Sequence, residues 1–590
     1  MEYLPPAFIL FLGAFLIPIF LPEVRKWIAI FTPAIAFLYI LNLDYGTYWQ
    51  VHFFGYDLTL LRVDKLAKAF GYIFTLYGFA AGIYSYYLKD ARQQFSALIY
   101  MGSALGVVFA GDLITLYFYW EVMAIASVII ILAKETESAL EAGYRYVLVH
   151  IVGGLCLLAG IVLYIQQTHS VAFNGFSAHN LSTYLILIGF LLNTAAPPLG
   201  AWLPDAYPES TVTGSVVLSA YTTKTAVYTL LRGFPGWEIL IVVGCIMTLY
   251  GIFYALLEND MRRILAYSII NQVGFMLCGA GIGTAMAIDG AVAHAFVHII
   301  YKGLLFMSAG AVLYMTGKSK CTELGGLYKT MPYTLLFGCV GALAISAFPL
   351  TSGFTAKSLI IESSIHHHLF WPWLILEVAS AGVFLHAGIK FPYFVFFAKD
   401  KGLRPGETNK SMLLAMAFLS FLCIFLGVYP KPLYDILPYG VGDYTAYTLP
   451  HVVTQLQLLM FSALVFFLFL PLLKRTDTIS LDTDWFYRIG GLLAYKFFDK
   501  TLNGINYYAD KICMALVRSL ASLFSDFWAK VVVFCFTPMW IAQGIRGEEL
   551  IVKKQVLRTE FKRDLIPVGI GAAISGFFLV LVFILGRNLW

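Results

Sequence analysis

Charge is scarce in this chain. Only 12% of its 590 residues are Asp, Glu, Lys or Arg, about half the share of an average soluble domain, and a water-soluble fold is thereby excluded. The eight cysteines, from Cys156 to Cys535, are scattered with no CxxC pair. That argues against metal or cluster binding through cysteine and leaves apolar packing as their role. No GxGxxG opens a strand–helix unit and no flavin, haem or iron–sulfur motif occurs. The chain is therefore expected to hold no cofactor and to leave any redox chemistry to partner subunits. The first apolar run has no basic n-region, carrying Glu2 instead, and no small-residue cleavage site precedes Glu23, Arg25 and Lys26. It reads as a span, not as a cleavable signal.

What is abundant is apolar. Hydrophobic residues make up 60% of the chain and its mean hydropathy is +0.79. A bilayer core takes roughly 20 apolar residues per helix. Such runs fall near 5–22, 26–43, 66–87, 96–110, 112–133, 145–165, 183–203, 212–231, 238–257, 264–283, 290–315, 333–365, 371–396, 411–429, 452–473 and 565–587. The expected fold class is an all-α integral membrane protein of about sixteen transmembrane helices. The run 333–365 is too long for one simple span, and Pro349 and Gly353 fall in its middle. A similar interruption lies at Ala196, Pro197 and Pro198. Broken helices beside a charge are a transporter feature, and two in corresponding halves point to an inverted repeat.

Basic residues suggest the topology. Alternate connections, starting with the first, hold Arg25 and Lys26, then Lys89 and Arg92, then Lys134 and Arg145. The series continues with Arg262 and Arg263, with Lys318, Lys320 and Lys329, and with Lys399, Lys401, Arg404 and Lys410. The intervening connections are poorer, with Arg62, Lys65, Arg232 and Lys431. With an even number of spans, the richer loops belong in the cytoplasm and both termini outside it, for a multi-pass protein of the cell (inner) membrane.

Residues 474–564 break the pattern. Lys496, Asp499, Lys500, Asn503, Asn506, Asp510, Lys511, Arg518, Asp526 and Lys530 recur at helical spacing, which predicts a long amphipathic helix from 491 to about 535. Such a helix either lies in the lipid interface or straps neighbouring subunits.

A few ionisable residues sit deep in apolar runs, where each costs at least a few kcal/mol, so they suggest an ion or proton path. Glu121 lies a third of the way into its span and needs a cationic partner or a proton to tolerate the low dielectric. Lys224 lies mid-span with no route to either surface; its bland alternative is an ion pair with Glu121. His294, His298 and Lys302 repeat at i, i+4 and i+8 on one helical face. Three titratable groups on one stripe favour a relay; a metal site lacks a third ligand, and Lys302 would repel the cation. Lys357 follows the break in 333–365; if that helix is shorter, it is a loop residue. His386 and Lys390, also i and i+4, would extend the line, unless Lys390 simply snorkels.

Three stretches carry a resemblance. AWLPDAYPESTVTGSVVLSAYTTKTAVYTLLRGF, NDMRRILAYSIINQVGF and HIIYKGLLFMSAGAVLY resemble the signature of the antiporter-like subunits shared by respiratory complex I, membrane-bound hydrogenases and Mrp-type cation/proton antiporters. The similarity covers roughly residues 60–400. It implies two inverted five-helix repeats with the seventh and twelfth helices broken. It also implies a proton path that, matched by motif, runs through Glu121, Lys224, His294, His298, Lys302 and Lys357. One family position departs. The seventh-helix lysine, nine residues before the Trp of WLPD, is Asn193 here. Asn cannot hold a proton charge, so Glu121 must be neutral or pair with Lys224 or Arg145, and pumping through the first half is in question. The core, especially GSVVLSAYTTKTAVY, reads closer to the Mrp D-type branch. The amphipathic segment followed by a last span instead resembles the largest antiporter-like subunit of complex I, with its lateral helix.

The implied organisation is N-terminal helices (1–95), a first repeat (96–232), a second repeat (233–400), C-terminal helices (401–473), the lateral segment (474–564) and a final anchor (565–590). The expected function is ion translocation, H⁺ with Na⁺ as a candidate exchanged ion, within a multisubunit membrane complex. The alternatives are a pumping subunit of an NADH:quinone- or hydrogenase-like complex, a membrane partner in inorganic-carbon uptake, and a scaffold that has lost transport. The expected partners are other membrane subunits, the ions and lipid, with no nucleic acid.

Overall fold

Proline sets the first boundaries. In the computed structural model, which describes residues 3–471, 482–563 and 575–579, α1 (Pro6–Leu16) stops two residues before Pro18. Helix α2 (Pro22–Leu41) opens with Pro22 in its first turn, where a missing N–H costs nothing. The chain forms two compact units, Met1–Asp484 and Trp485–Trp590.

The first unit is helical apart from one hairpin, β1 (Gly46–Phe53) paired antiparallel with β2 (Tyr56–Val63). Its first strand is almost wholly exposed, so no alternation of burial announces it, and hydropathy reads it as a connection. Then follow α3 (Lys65–Tyr84), α4 (Ala91–Phe109), α5 (Leu113–Leu132) and α6 (Glu137–Thr168). Each is capped by a side chain that accepts from the first turn: Asp64, Asp90, Asp112 and Thr136, which satisfies backbone donors the helix leaves free. Helix α7 (Leu181–Asn193) breaks before α8 (Trp202–Glu209). A second break, absent from the sequence expectation, separates α9 (Val212–Leu218) from α10 (Thr222–Gly233). Helices α11 (Ile239–Leu257), α12 (Met261–Ile282) and α13 (Ala285–Thr316) are continuous. The long run 333–365 divides into α14 (Pro332–Ile345) and α15 (Ser352–His366). Next come α16 (Phe370–Val383), π-helical stretches at 384–390 and 393–397, α17 (Lys410–Val428), α18 (Lys431–Tyr434) and α19 (Leu449–Leu468).

Among the described residues, 11 helices are long and apolar enough to cross a membrane, with three shorter apolar helices, α1, α7 and α14. The difference from the expected sixteen has local causes. Proline shortens the first run, three runs are broken in two, 565–587 lies mostly outside the described residues, and α4 is not among the 11, which include instead Arg488–Ala542, a stretch not expected as a span.

Helices α12 and α13 form the centre. Every residue of α13 from Ala287 to Val312 is buried, the mark of a helix that is core on all sides. Helices α11 and α12 touch backbone to backbone: a Cβ on Gly244 would meet the Gly274 carbonyl at 2.6 Å, and one on Gly251 the Asn271 nitrogen at 2.6 Å.

Hydrogen bonds sort the connections into two sets. Arg92 pairs with Glu135, Lys134 with Glu209, and Lys329 with Asp400, while Met261 N–H donates to the Ser319 carbonyl. In the other set, Arg62 donates to the Phe173 carbonyl, Arg232 pairs with Asp64, and Tyr439 N–H donates to Asp289. Alternate connections thus lie together, as they must if the helices between them cross from face to face.

The second unit contains α20 (Asp484–Ser525), α21 (Phe527–Ala542) and α22 (Glu548–Arg563). At 42 residues, α20 is about 63 Å long. The single helix expected over 491–535 is therefore two, divided at Asp526, whose carboxylate accepts from Arg558.

Candidate functional site

Three of the deep charges stand at helix breaks, where carbonyls have lost their helical partners. Lys224 Nζ donates to the Ser219 carbonyl at 2.7 Å across the α9–α10 break. Lys357 Nζ donates to the Ile345 carbonyl at 3.2 Å across the α14–α15 break. Being in α15 and only 1% exposed, Lys357 is not a loop residue. Lys390, in the π-helical stretch, donates to the Ala255, Leu256 and Glu258 carbonyls at 2.7, 2.8 and 2.7 Å. It does not snorkel. It caps the carboxyl end of α11, where the helix dipole favours a cation.

Lys302 is different. It is fully buried in α13, and its ammonium has no hydrogen-bond partner among the described residues. The same holds for both ring nitrogens of His298 and of His386, and for Nδ1 of His294. Leaving such groups unsatisfied costs about 1–3 kcal/mol each, more where charge is involved. Their concentration in one zone marks a polar, hydratable line through an apolar core.

The helical spacing does bring these groups together. The His294 and His298 rings are 6.1 Å apart and nearly parallel. Phe275 of α12 stacks on His294 at 5.9 Å, and Lys357 Nζ lies 5.0 Å from the centre of that Phe275 ring. His298 is within electrostatic reach of Lys224, Lys302 and Lys357; His386 is within reach of Lys302, Lys357 and Lys390. Among the described residues, no carboxylate forms an ion pair with Lys224, Lys302 or Lys357 within 4.0 Å. The row is made of basic side chains.

Two named residues stand apart. Glu121, half-buried on α5, interacts with Tyr117 one turn earlier and packs on Gly154 of α6, where a Cβ would come within 2.4 Å of its Oε1. It pairs with neither Lys224 nor Arg145: Arg145 instead forks onto Asp205 at 2.7 and 3.1 Å. Asn193 ends α7, 1% exposed, and its Nδ2 has no partner among the described residues.

Some polar groups at the site escaped the sequence reading. Tyr301 links His294 Nε2 (3.3 Å) to Gln272 Oε1 (3.1 Å), and Gln272 in turn donates to Asn271. Glu377 of α16 acts electrostatically on Lys357. The signal was present in the adjacent Asn271 and Gln272 and in the lone acid of WPWLILEVAS, each inside an apolar run.

The comparisons with known proteins fall on this region. The family described as NADH:quinone oxidoreductase/Mrp antiporter, transmembrane, matches residues 110–383, which contain Glu121, Lys224, the α13 stripe and Lys357. Over these residues the chain is similar to that family. The A/B subunit of a probable K⁺/H⁺ antiporter of Rhizobium meliloti is 30% identical over 409 residues, 64% of this chain and 40% of the relative. The A1 subunit of an Na⁺/H⁺ antiporter of Staphylococcus aureus is 29% identical over 466 residues, 68% and 58% of the two chains. The chain thus spans about half the length of these curated relatives. Both relatives carry A-type names, where a D-type core was expected from the Lys224 motif. In structure, the chain is similar to a component of the Mrp complex from Dietzia sp. DQ12-45-1b, with TM-score 0.74, 23% identity, and 88% of this chain and 62% of that one covered. It is also similar to a component of the membrane-bound sulfane sulfur reductase, an archaeal respiratory membrane complex, with TM-score 0.69 and 23% identity, covering 90% and 99%. At that identity the likeness is one of fold.

Proposed function

We propose that this protein is an ion-translocating subunit of a multisubunit membrane complex. It moves protons along the buried row Lys224, His298, Lys302, His386 and Lys390, with His294 and Lys357 beside it, in exchange for a monovalent metal cation. The observation that carries this reading is the row itself: basic side chains buried in an apolar core, of which Lys224, Lys302 and Lys357 form no ion pair with a carboxylate among the described residues, a costly arrangement that transport explains and packing does not. The family's printed description and the antiporter names of the relatives agree with it.

The finer architecture belongs to the same proposal. Residues 96–232 and 233–400 form two inverted repeats. In support, an isolated β-bridge joins Asp112 to Ala172 in the first and Asp260 to Lys320 in the second, and Ala195 and Ala347 take positive φ at the two breaks. The connections rich in Arg and Lys face the cytoplasm of a cell membrane. Helix α20 is a strap for neighbouring subunits; the final anchor expected at 565–590 lies mostly outside the described residues.

The test is cation-driven proton flux in vesicles holding the intact complex. Lys224→Ala should reduce it by roughly a hundredfold, the scale of losing one proton-carrying group. Flux at the wild-type rate would show that Lys224 is structural. A second reading, a pumping subunit of a redox-driven complex, draws on the matching family's description, which names NADH:quinone oxidoreductase beside the Mrp antiporter. Redox-driven flux without a response to Na⁺ or K⁺ would select it.

A further inference from the structure

The first repeat lacks a lysine at Asn193, yet it holds a titratable group that the basic row does not use. His150, on α6, is 7% exposed. Its Nδ1 lies 2.9 Å from the Tyr146 carbonyl. A carbonyl only accepts, so Nδ1 carries the hydrogen and Nε2 is left as a bare acceptor. That Nε2 is buried and has no partner among the described residues. The ring is held rather than loose, stacked on Tyr146 at 3.8 Å and edge-on to Trp202 at 4.7 Å.

The surroundings connect this nitrogen to both ends of a first-half route. One turn further along α6, Gly154 supplies the gap that the Glu121 carboxylate fills. On the other side, the Tyr146 hydroxyl bonds Ser127 at 2.8 Å, and the hydroxyls of Tyr146 and Tyr100 gather near Thr222, two residues before Lys224. The Asn193 end of α7 borders the same place: Leu192 packs on Gly153, and its carbonyl takes the Trp202 indole N–H at 3.1 Å. Register supplies an independent parallel. Helices α6 and α13 both have 32 residues and both are capped by a threonine, Thr136 and Thr284. His150 stands 14 residues after its cap, as does His298. Gly154 then corresponds to Lys302.

We propose that His150 is the proton-carrying residue of the first half, taking the place of the lysine missing at Asn193 and passing protons between Glu121 and the hydroxyl cluster that leads to Lys224. In each passage Nε2 accepts a proton, the ring becomes a cation while Nδ1 stays bonded to the Tyr146 carbonyl, and Nε2 releases the proton on the other side. This rests on the translocation reading of the Lys224–Lys390 row. The two are separated by running Lys224→Ala in parallel.

The experiment measures Na⁺- and K⁺-driven proton flux in everted vesicles containing the full complex, normalised to assembled complex on native gels. His150→Gln keeps a donor for the Tyr146 carbonyl but cannot carry a proton, and should lower flux by roughly a hundredfold. If Gln does not assemble, His150→Asn serves. Adding Asn193→Lys to either variant should restore at least roughly half of the flux, because it returns a proton carrier to the same place; a merely structural histidine would not be rescued in this way. Wild-type flux in His150→Gln with loss in Lys224→Ala overturns the role of His150 and leaves translocation standing. Loss in His150→Gln that Asn193→Lys does not restore overturns it as well. Wild-type flux in Lys224→Ala overturns the route through Lys224, and with it the His150 proposal that leads into it.

Discussion

Lys302 and Lys390 are both buried lysines, yet the physics of the two sites is opposite. Lys390 holds three carbonyls at the end of α11, so Lys390→Met removes charge-assisted bonds and leaves acceptors unpaired, a loss of about 2–4 kcal/mol. Lys302 bonds to nothing among the described residues, so Lys302→Met should leave the thermal midpoint of the complex unchanged or raise it, while abolishing flux. Equal destabilisation by the two variants would show that Lys302 is a structural group. Outside the membrane-spanning segments, Arg404 grips Asp400 through both Nη atoms at 2.8 and 2.7 Å, joined by the Gly402 N–H at 2.8 Å and Lys329 at 3.3 Å. These bonds, Arg404 first, hold the Asp400 carboxyl well below the usual carboxylate range. Because the folded value lies below the unfolded one, the clamp's contribution is whole above about pH 4 and is lost as pH falls through the lower folded value. Hydrogen exchange over 398–410, corrected for its intrinsic pH dependence, should therefore quicken in the wild type only below about pH 4. In Asp400→Asn it should be fast throughout.

The elements that carry the site are the broken ones, and their breaks are held by close backbone contacts. A Cβ on Gly353 would fall 1.8 Å from the Ala344 carbonyl oxygen. Gly353→Ala must therefore move backbone at the break and disturb the Lys357–Ile345 bond, costing about 1–3 kcal/mol. Gly341→Ala, in α14 of the same broken run, meets only side-chain atoms, the nearest 3.1 Å away, and serves as the control. Equal thermal midpoints for the two variants would contradict this account of the break. Two of the three breaks were legible beforehand, because Pro197, Pro198 and Pro349 interrupt apolar runs. The third, between α9 and α10, was not: its residues, Ser219, Ala220 and Tyr221, contain no breaker, and tertiary bonds such as Tyr221 to the Phe74 carbonyl at 2.9 Å fix it. The α13 stripe was legible from i, i+4 spacing alone. His150 was not, since a lone histidine makes no pattern; nor was the anchoring of Lys390, whose partners are main-chain carbonyls more than 130 residues away in the chain.

For the molecule as a whole, burial and ion pairing set the cost of the design. Surface pairs such as Arg92–Glu135 and Lys318–Glu323 contribute little, and the tight backbone packing of α11 on α12 gives the centre its rigidity. Against that scaffold, buried Lys224, Lys302 and Lys357, with no carboxylate in ion-pair contact among the described residues, are a standing expense. Proton movement is what retains them. The most direct measurement is cation-driven proton flux in vesicles containing the complex, wild type against Lys302→Met at matched assembly. The account predicts loss of roughly a hundredfold with the complex intact and no less stable. Undiminished flux in Lys302→Met would contradict it.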